Sequence, residues 1–276
     1  MTAGLPEGTT AAQLKACCAD VYGSDWARLL LGDSFHPGGT RLTDRLADLL
    51  QLGPDTRVLD VAAGRGVSAI HLARSRGCRV VGVDLSAANV EAATAQARAA
   101  AVDDRVTFIT GDAESLARDG DGGFDAVICE CAFCTFPDKA KAARGFVEAL
   151  RPGGRVGISD LTRDGELPSE LQGLFAWVAC IADALPVEEY TTHLRDAGLR
   201  IDAIEPHDGA LVDFVEAIRQ KLTTASLLAQ LGRISLRPTD LEGAHVLARA
   251  ALDAVRGGRL GYAIVCASAP APDLAS

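Results

Sequence analysis

One segment of the chain combines a buried-strand pattern with closely spaced glycines: Val58-Leu-Asp-Val-Ala-Ala-Gly-Arg-Gly66. Its apolar, β-branched first half is typical of a strand in a parallel sheet, and its small residues are typical of a tight turn. Gly64 and Gly66 lack a Cβ, so the backbone of that turn can approach a ligand closely. A second strand of the same kind, Val80-Val-Gly-Val-Asp84, follows. Together they predict an α/β sheet with a nucleotide-type ligand at its carboxyl edge.

The acids at the ends of these strands indicate the kind of ligand. Asp60 can accept a hydrogen bond from the amino group of an amino-acid moiety, and Asp84 stands at the spacing expected for an acid that binds both ribose hydroxyls. Dinucleotide sites also need glycines around the pyrophosphate, but Ala62 and Ala69 occupy the first and third of those positions. A cofactor without pyrophosphate is therefore favoured, which predicts S-adenosylmethionine.

A third strand, Val106-Thr-Phe-Ile-Thr110, leads into Gly111-Asp-Ala113. Asp112 and the backbone amide of Ala113 can read the amino group and a ring nitrogen of adenine. A lone aspartate after a strand often caps a helix instead, but acids at three successive strand ends favour a ligand. The predicted cofactor-binding residues are Asp60, Ala62, Gly64, Gly66, Asp84, Leu85, Asp112, Ala113 and Glu130.

These motifs resemble those of the class I S-adenosylmethionine-dependent methyltransferases. The resemblance continues through Phe124-Asp-Ala-Val-Ile-Cys129, Leu150-Arg-Pro-Gly-Gly-Arg-Val-Gly-Ile-Ser-Asp160 and a terminal strand from Leu260 to Ala267. It implies one α/β domain over residues 1–276, with a doubly wound, Rossmann-like, seven-stranded sheet. We expect an N-terminal helical cap at 10–52 and the cofactor-binding core at 53–207. A C-terminal helical insertion over the active site should follow at 208–257, and a final strand at 258–268.

The charge balance restricts the partners. A formal net charge of -10 and a pI near 5.0 argue against a nucleic-acid substrate, since phosphate backbones attract basic surfaces. The longest apolar run, Leu174 to Ala182, is far shorter than the roughly 20 residues of a membrane helix, and we find no targeting segment. We expect a cytoplasmic protein that acts on a small molecule. Its eight cysteines are then thiols or ligands rather than disulfides.

Three of those cysteines, Cys129, Cys131 and Cys134, lie after or at the end of the predicted fourth strand. In this fold that strand end faces the transferred methyl group, and alternation puts the first two thiols on one side if the strand continues. Cys131 and Cys180, with the residues around them, resemble the arsenite methyltransferases, in which two such cysteines bind trivalent arsenic as thiolates. That resemblance implies catalytic roles for Cys131 and Cys180 and substrate binding by Cys134. It also implies a metalloid substrate, a thiol reductant and in-line attack of arsenic on the methyl group.

Other interpretations stay open. The glycine loop lacks the cysteine that arsenite enzymes usually carry after it, which leaves Cys134, Cys17 and Cys18 as candidates for a third thiol. The main alternative is a methyltransferase for oxygen, nitrogen or carbon of an organic metabolite, with His36 contacting the substrate as a base. A binding or sensor module without enzymatic activity is the third. No structural metal site is predicted.

Overall fold

The computed structural model describes residues 10–13, 15–16, 34–116, 123–171, 181, 183–231 and 238–271. The strands are β1 (Arg57–Val61), β2 (Arg79–Asp84), β3 (Val106–Thr110), β4 (Phe124–Glu130), β5 (Leu150–Arg163), β6 (Arg200–Pro206) and β7 (Leu260–Ser268). The longer helices are α1 (Thr40–Leu50), α2 (Val67–Arg76), α3 (Ala87–Ala99), α4 (Lys139–Ala149), α5 (Val187–Asp196), α6 (Asp208–Gln230) and α7 (Pro238–Arg256). Short 3₁₀ turns occupy Ala113–Ser115, Phe133–Thr135 and Ser169–Leu171.

The strands form a seven-stranded sheet in the order β3-β2-β1-β4-β5-β7-β6. The pairs from β3 through β5 are parallel, whereas β7 runs antiparallel to both β5 and β6. Strand order reverses between β1 and β4, so the loops after these two strands diverge and leave a crevice at the carboxyl edge. The sheet confirms the predicted doubly wound α/β fold.

Helix α1 lies directly on β5. Leu42, Leu46 and Leu50 repeat every four residues and are all buried, as expected for the apolar face of a helix. A Cβ on Gly157 of β5 would lie 2.6 Å from Leu46 and 2.8 Å from Leu50. The glycine therefore allows the close approach, and burial of each leucine stabilises the fold by about 2 kcal/mol.

Side-chain caps fix two helices that begin at the carboxyl edge. The Ser86 hydroxyl accepts a hydrogen bond from the Asn89 N–H at the start of α3. The Asp138 carboxylate accepts one from the Lys141 N–H at 2.9 Å at the start of α4. Such caps satisfy amides that a helix leaves unpaired, so they hold the loops after β2 and β4 in place.

Helices α6 and α7 are inserted between β6 and β7 and fall within the predicted insertion at 208–257. They pack through buried residues such as Leu222 and Leu252 and through a 3.1 Å contact between Ser226 Oγ and His245 Nε2. Helix α7 also contacts the turn Ser169–Leu171. That the pair covers the active site stays a prediction. Among the described helices, none has the length and apolar character needed to cross a membrane.

Candidate active site

A cavity opens at the carboxyl edge, beside the ends of β1 to β4. It lies in the crevice where the strand order reverses, the position expected for a ligand site in this kind of sheet. In the described part of the chain its lining residues are Lys15, Phe35, Ala62, Gly64, Val83, Asp84, Leu85, Asn89, Gly111, Asp112, Ala113, Glu130, Cys131, Ala132, Thr135 and Phe136.

The loop after β1 is held against the end of β2. Ala62 and Gly64 have positive φ angles of 59° and 54°, which bend the chain sharply. The Gly64 N–H donates to Asp84 Oδ2 at 2.8 Å, and the Ala63 N–H donates to the Val83 carbonyl at 3.0 Å. The loop thus turns its backbone towards the cavity, as the glycine pattern predicts.

Gly66 has a packing role, and its predicted contact with the cofactor stays a prediction. It caps the N-terminus of α2 with a φ of 80° and does not line the cavity. A Cβ at this position would lie 2.4 Å from Phe108 Cζ and 3.0 Å from Ala93 Cβ. The glycine is therefore required by packing beneath the loop.

Replacing Gly66 with alanine is expected to lower the free energy of unfolding by about 3 kcal/mol, because a left-handed φ and an overpacked core both oppose the methyl group. Gly165→Ala is the matched control: its φ is 77°, but a Cβ there meets nothing within 4 Å, so we expect about 1 kcal/mol. Urea unfolding of both variants measures the difference. Equal losses would show that the Phe108 contact contributes nothing.

Asp84 is oriented by three donors. Its Oδ2 accepts from the Gly64 N–H, while Oδ1 accepts from the Ser86 N–H at 2.9 Å and from Asn89 Nδ2 at 3.2 Å. Burial raises the pKa of Asp84, although these hydrogen bonds favour the carboxylate. The carboxylate is therefore fixed at the cavity wall, where the sequence places the ribose-binding acid.

Asp60 lies beneath the cavity rather than in its wall. Its side chain is buried, and its Oδ2 has no hydrogen-bond partner among the described residues. Burial, followed by the negative charges of Glu130 and Asp84, raises the pKa of Asp60 well above its usual range. The predicted contact between Asp60 and an amino group stays a prediction.

The adenine end of the predicted site is formed by Leu85, Asp112 and Ala113, all of which line the cavity. Leu85 is 41% exposed, so its apolar surface is open to a ligand. Asp112 Oδ1 accepts from the Glu114 N–H at 2.9 Å and so caps the turn after β3. Asp112 is consequently both the helix cap and the cavity acid, the two roles that the sequence left open.

A lysine that the sequence does not single out also reaches this end. Lys15 Nζ lies 2.8 Å from Asp112 Oδ2 and 2.6 Å from Glu114 Oε2. Burial raises the pKa of Asp112, but the hydrogen bonds from Lys15 and from the Glu114 N–H, together with the charges of Lys15 and Lys141, hold the pKa below its usual value. No motif around Lys15 predicts this contact, which joins residues 97 positions apart.

Glu130 presents a carboxylate at the opposite end of the cavity. It accepts hydrogen bonds from Ser68 Oγ at 2.6 Å, Thr43 Oγ1 at 3.1 Å and Ser159 Oγ at 3.3 Å. The Tyr262 hydroxyl lies 3.0 Å from Ser159 Oγ behind them. Three hydroxyl donors fix the orientation of the carboxylate, so Glu130 is suited to bind the amino group of a ligand.

His36 lies behind Glu130 and does not line the cavity. It is 7% exposed, with Nε2 3.7 Å from Glu130 Oε2 and 3.4 Å from Ser68 Oγ. Direct proton removal from a ligand, as the sequence predicts for His36, is not the role that this position favours. The geometry instead makes His36 a neighbour of the Glu130 network.

The cysteines after β4 are separated by the local backbone. β4 ends at Glu130, and Cys131 adopts a left-handed φ of 53°, so the strand alternation that would align Cys129 with Cys131 stops there. Cys131 is partly exposed and lines the cavity. Cys134 is fully buried in the following turn, where its N–H donates to Asp160 Oδ2 at 2.9 Å.

Of the two predicted thiolate ligands, Cys131 and Cys180, the structure describes only Cys131. Cys180 lies outside the described residues, as do Cys17 and Cys18. Within the described ranges, no group of three or more His, Cys, Asp or Glu side chains is placed to hold a metal ion. Among the described residues, the fold thus places one thiol, that of Cys131, at the cavity.

The remaining described thiols belong to the core. Burial raises the pKa of Cys78 to about 11 and that of Cys266 to about 12. Burial also raises the pKa of Cys129 well above its usual range. A thiol that stays protonated is a poor nucleophile and a poor metal ligand, so these three residues act as small apolar side chains.

The three carboxylates succeed one another along the sheet edge: Asp112 after β3, Asp84 at the end of β2 and Glu130 at the end of β4. A wall with acids at this spacing favours a ligand that offers amine and hydroxyl donors along its length and carries positive charge. The Gly64 loop lines the cavity between Asp84 and Glu130, because it follows β1, which lies between β2 and β4.

Known proteins share both the sequence pattern and the fold. The family described as a methyltransferase domain matches residues 52–198, more than half of the chain. The 27-O-demethylrifamycin SV methyltransferase of Amycolatopsis mediterranei is 37% identical over 176 residues, which cover 60% of this chain and 62% of that protein. The match thus spans less than two thirds of that relative's length.

Two solved structures are similar over nearly the whole chain. The [4+2]-cyclase SpnF has a TM-score of 0.75 and 24% identity, and the match covers 97% of this chain and 99% of that one. Haemonchus contortus phosphoethanolamine N-methyltransferase 2, in complex with phosphomonomethylethanolamine and S-adenosylhomocysteine, has a TM-score of 0.75 and 19% identity. That match covers 96% of this chain and 61% of the other. At these identities the likeness establishes the fold.

Proposed function

The chain belongs to the family of methyltransferase domains, and on that premise we propose that it transfers the methyl group of S-adenosylmethionine to a hydroxyl oxygen of a small organic metabolite. The products are the methyl ether, S-adenosylhomocysteine and the proton that the hydroxyl releases. Family membership confirms the methyltransferase predicted from the motifs. The narrower resemblance to arsenite methyltransferases gains no support from the relatives described above. The observation that carries the proposal is the set of three acids around the cavity beside the glycine loop.

The cavity residues suit the cofactor by their chemistry. In this proposal Asp112 and Ala113 face adenine, Asp84 accepts hydrogen bonds from the ribose hydroxyls, and Glu130 holds the ammonium of the methionine end. When bound, the cofactor supplies an electrophilic methyl group on a sulfonium. The acidic wall favours that cation over the neutral thioether left after transfer. Glu130 takes in this proposal the role that the sequence assigns to Asp60, because Glu130 lines the cavity and Asp60 does not.

The charge of the cavity wall favours a neutral methyl acceptor. The cavity wall contains three acids, and its described cation, Lys15, is paired with two carboxylates. A phosphorylated acceptor would meet repulsion there, whereas a neutral hydroxyl compound would not. The relative with 37% identity is named for an O-demethylated acceptor. These two observations favour oxygen of a neutral metabolite over a phosphate ester.

A thiolate-bound metalloid is the second candidate, because the Cys131 side chain lines the cavity close to Glu130. It requires a partner thiol from Cys180, as the resemblance to arsenite methyltransferases implies. The organic acceptor is preferred because the buried Cys134 does not supply a second thiol to the cavity.

Cys131→Ser is expected to retain turnover of a hydroxylated organic acceptor within about twofold, because the hydroxyl preserves the shape of the thiol. S-adenosylhomocysteine release should be measured with 27-O-demethylrifamycin SV, dimethylglycine, phosphoethanolamine, and arsenite with glutathione. Parent and variant are compared at matched cofactor saturation, and a reaction without acceptor gives the background. We expect release with the hydroxylated compound and none with arsenite.

Turnover of arsenite that disappears in both Cys131→Ser and Cys180→Ser would contradict the organic acceptor and support the metalloid. Cofactor binding without product release from any acceptor would favour a different reaction on the same fold.

A further inference from the structure

The N-terminal helical residues 11–13 and 15–16 have a defined start. The Gln13 N–H donates to Thr10 Oγ1 at 3.3 Å, and the Thr10 N–H donates to Gln13 Oε1 at 2.8 Å. This reciprocal pair is a capping box, which fixes the first turn of a helix. The turn that carries Lys15 therefore has its own local cause and does not depend on the cavity.

Lys15 joins this helical segment to the adenine end of the cavity. Its ammonium donates to both oxygens of Asp112, at 3.0 and 2.8 Å, and to Glu114 Oε2 at 2.6 Å. The Lys15 side chain is 19% exposed and that of Glu114 is 8% exposed. The Asp112 side chain is 34% exposed, so its pairing with Lys15 is open to solvent on one side and is weakened by salt.

The second carboxylate, that of Glu114, is also bound to another part of the fold. Glu114 Oε1 accepts from the Asp138 N–H at 2.8 Å, at the start of α4. When Asp112 directs an oxygen towards a ligand amine, Lys15 can therefore stay bound to Glu114. The ion pair does not need to break for a ligand to use Asp112.

We propose that Lys15 is a positioning residue that fastens the N-terminal helical segment across the adenine end of the cavity, so that a bound nucleoside leaves when the Lys15 ion pairs open. This inference rests on the proposed cofactor site. It implies that release of the cofactor product depends on ionic strength, because salt weakens the contact that closes the cavity.

The test follows dissociation of tritiated S-adenosylhomocysteine after addition of excess unlabelled ligand, at about 0.05 M and about 0.5 M NaCl. For the parent chain we expect faster dissociation at the higher salt concentration. For Lys15→Ala we expect dissociation about tenfold faster at low salt, as for loss of a charge-assisted hydrogen bond, and no further acceleration by salt. Lys15→Arg should restore slow, salt-dependent release.

Lys141→Ala is the matched control, since Lys141 donates to Ser115 Oγ beside the same turn without lining the cavity. It should release the ligand like the parent. Unchanged release by Lys15→Ala, or an unchanged salt dependence, would overturn the inference while leaving the cofactor site intact. Failure of the parent chain to bind S-adenosylhomocysteine would contradict the proposed function and this inference together.

Discussion

Asp84→Ala is expected to weaken binding of S-adenosylhomocysteine about a hundredfold, because two hydrogen bonds from ribose hydroxyls to a carboxylate together contribute about 3 kcal/mol. 5′-Methylthioadenosine, which has the same ribose but no amino-acid moiety, should lose as much. Asp84→Asn, which keeps one acceptor oxygen, should lose about tenfold. Isothermal titration calorimetry measures all three proteins.

The control is Asp103→Ala, which changes an exposed acid in the turn before β3 and should bind both ligands normally. Binding by Asp84→Ala within threefold of the parent would contradict the assignment of the ribose site. Because burial raises the pKa of Asp84, the affinity for S-adenosylhomocysteine should begin to fall at a higher pH than it would if Asp84 had the pKa of an exposed aspartate. Protonation then removes the charged acceptor as the pH decreases.

Glu130→Gln is expected to weaken binding of S-adenosylhomocysteine about thirtyfold and to leave 5′-methylthioadenosine unaffected. The physical reason is that Glu130 holds the ammonium of the amino-acid moiety in the proposed site, and a charge-assisted hydrogen bond of this kind contributes about 2 kcal/mol. The ratio of the two dissociation constants, measured by calorimetry, therefore reports the contact directly.

Ser68→Ala serves as the control for Glu130, because it removes one of the three hydroxyl donors to the carboxylate without removing the charge. We expect about a threefold loss for S-adenosylhomocysteine. Equal losses for both ligands in Glu130→Gln would place Glu130 away from the amino-acid end and indicate a general disturbance of the cavity.

The sequence does not predict how Asp60 and Glu130 are placed relative to each other and to the cavity. Both acids lie near the ends of central strands, so a strand pattern treats them alike. In the sheet, Asp60 pairs with Ile128, and Glu130 is two residues farther along β4. At about 3.3 Å per residue, that difference places Glu130 nearer the carboxyl edge, where it lines the cavity and Asp60 does not, although both side chains are buried. Register between strands is a tertiary property.

The polar neighbours of Glu130 show the same limit. Thr43, Ser68 and Ser159 come from α1, α2 and β5, and no local spacing joins them. Their hydroxyls converge because the helices pack on the sheet at these points. The role predicted for His36 stays a prediction, and a glycine-rich loop does not reveal which side of Glu130 its histidine occupies.

The sequence by itself determined the sheet, the glycine turn and the acids Asp84 and Asp112, because strand alternation and glycine conformations act over a few neighbouring residues. Tertiary structure alone decided which of the predicted acids line the cavity, with Glu130 in its wall and Asp60 buried beneath it, and that Lys15 pairs with Asp112. It also separated Cys134 from the cavity that Cys131 lines. These outcomes depend on strand register and on contacts between distant segments, which no local pattern encodes.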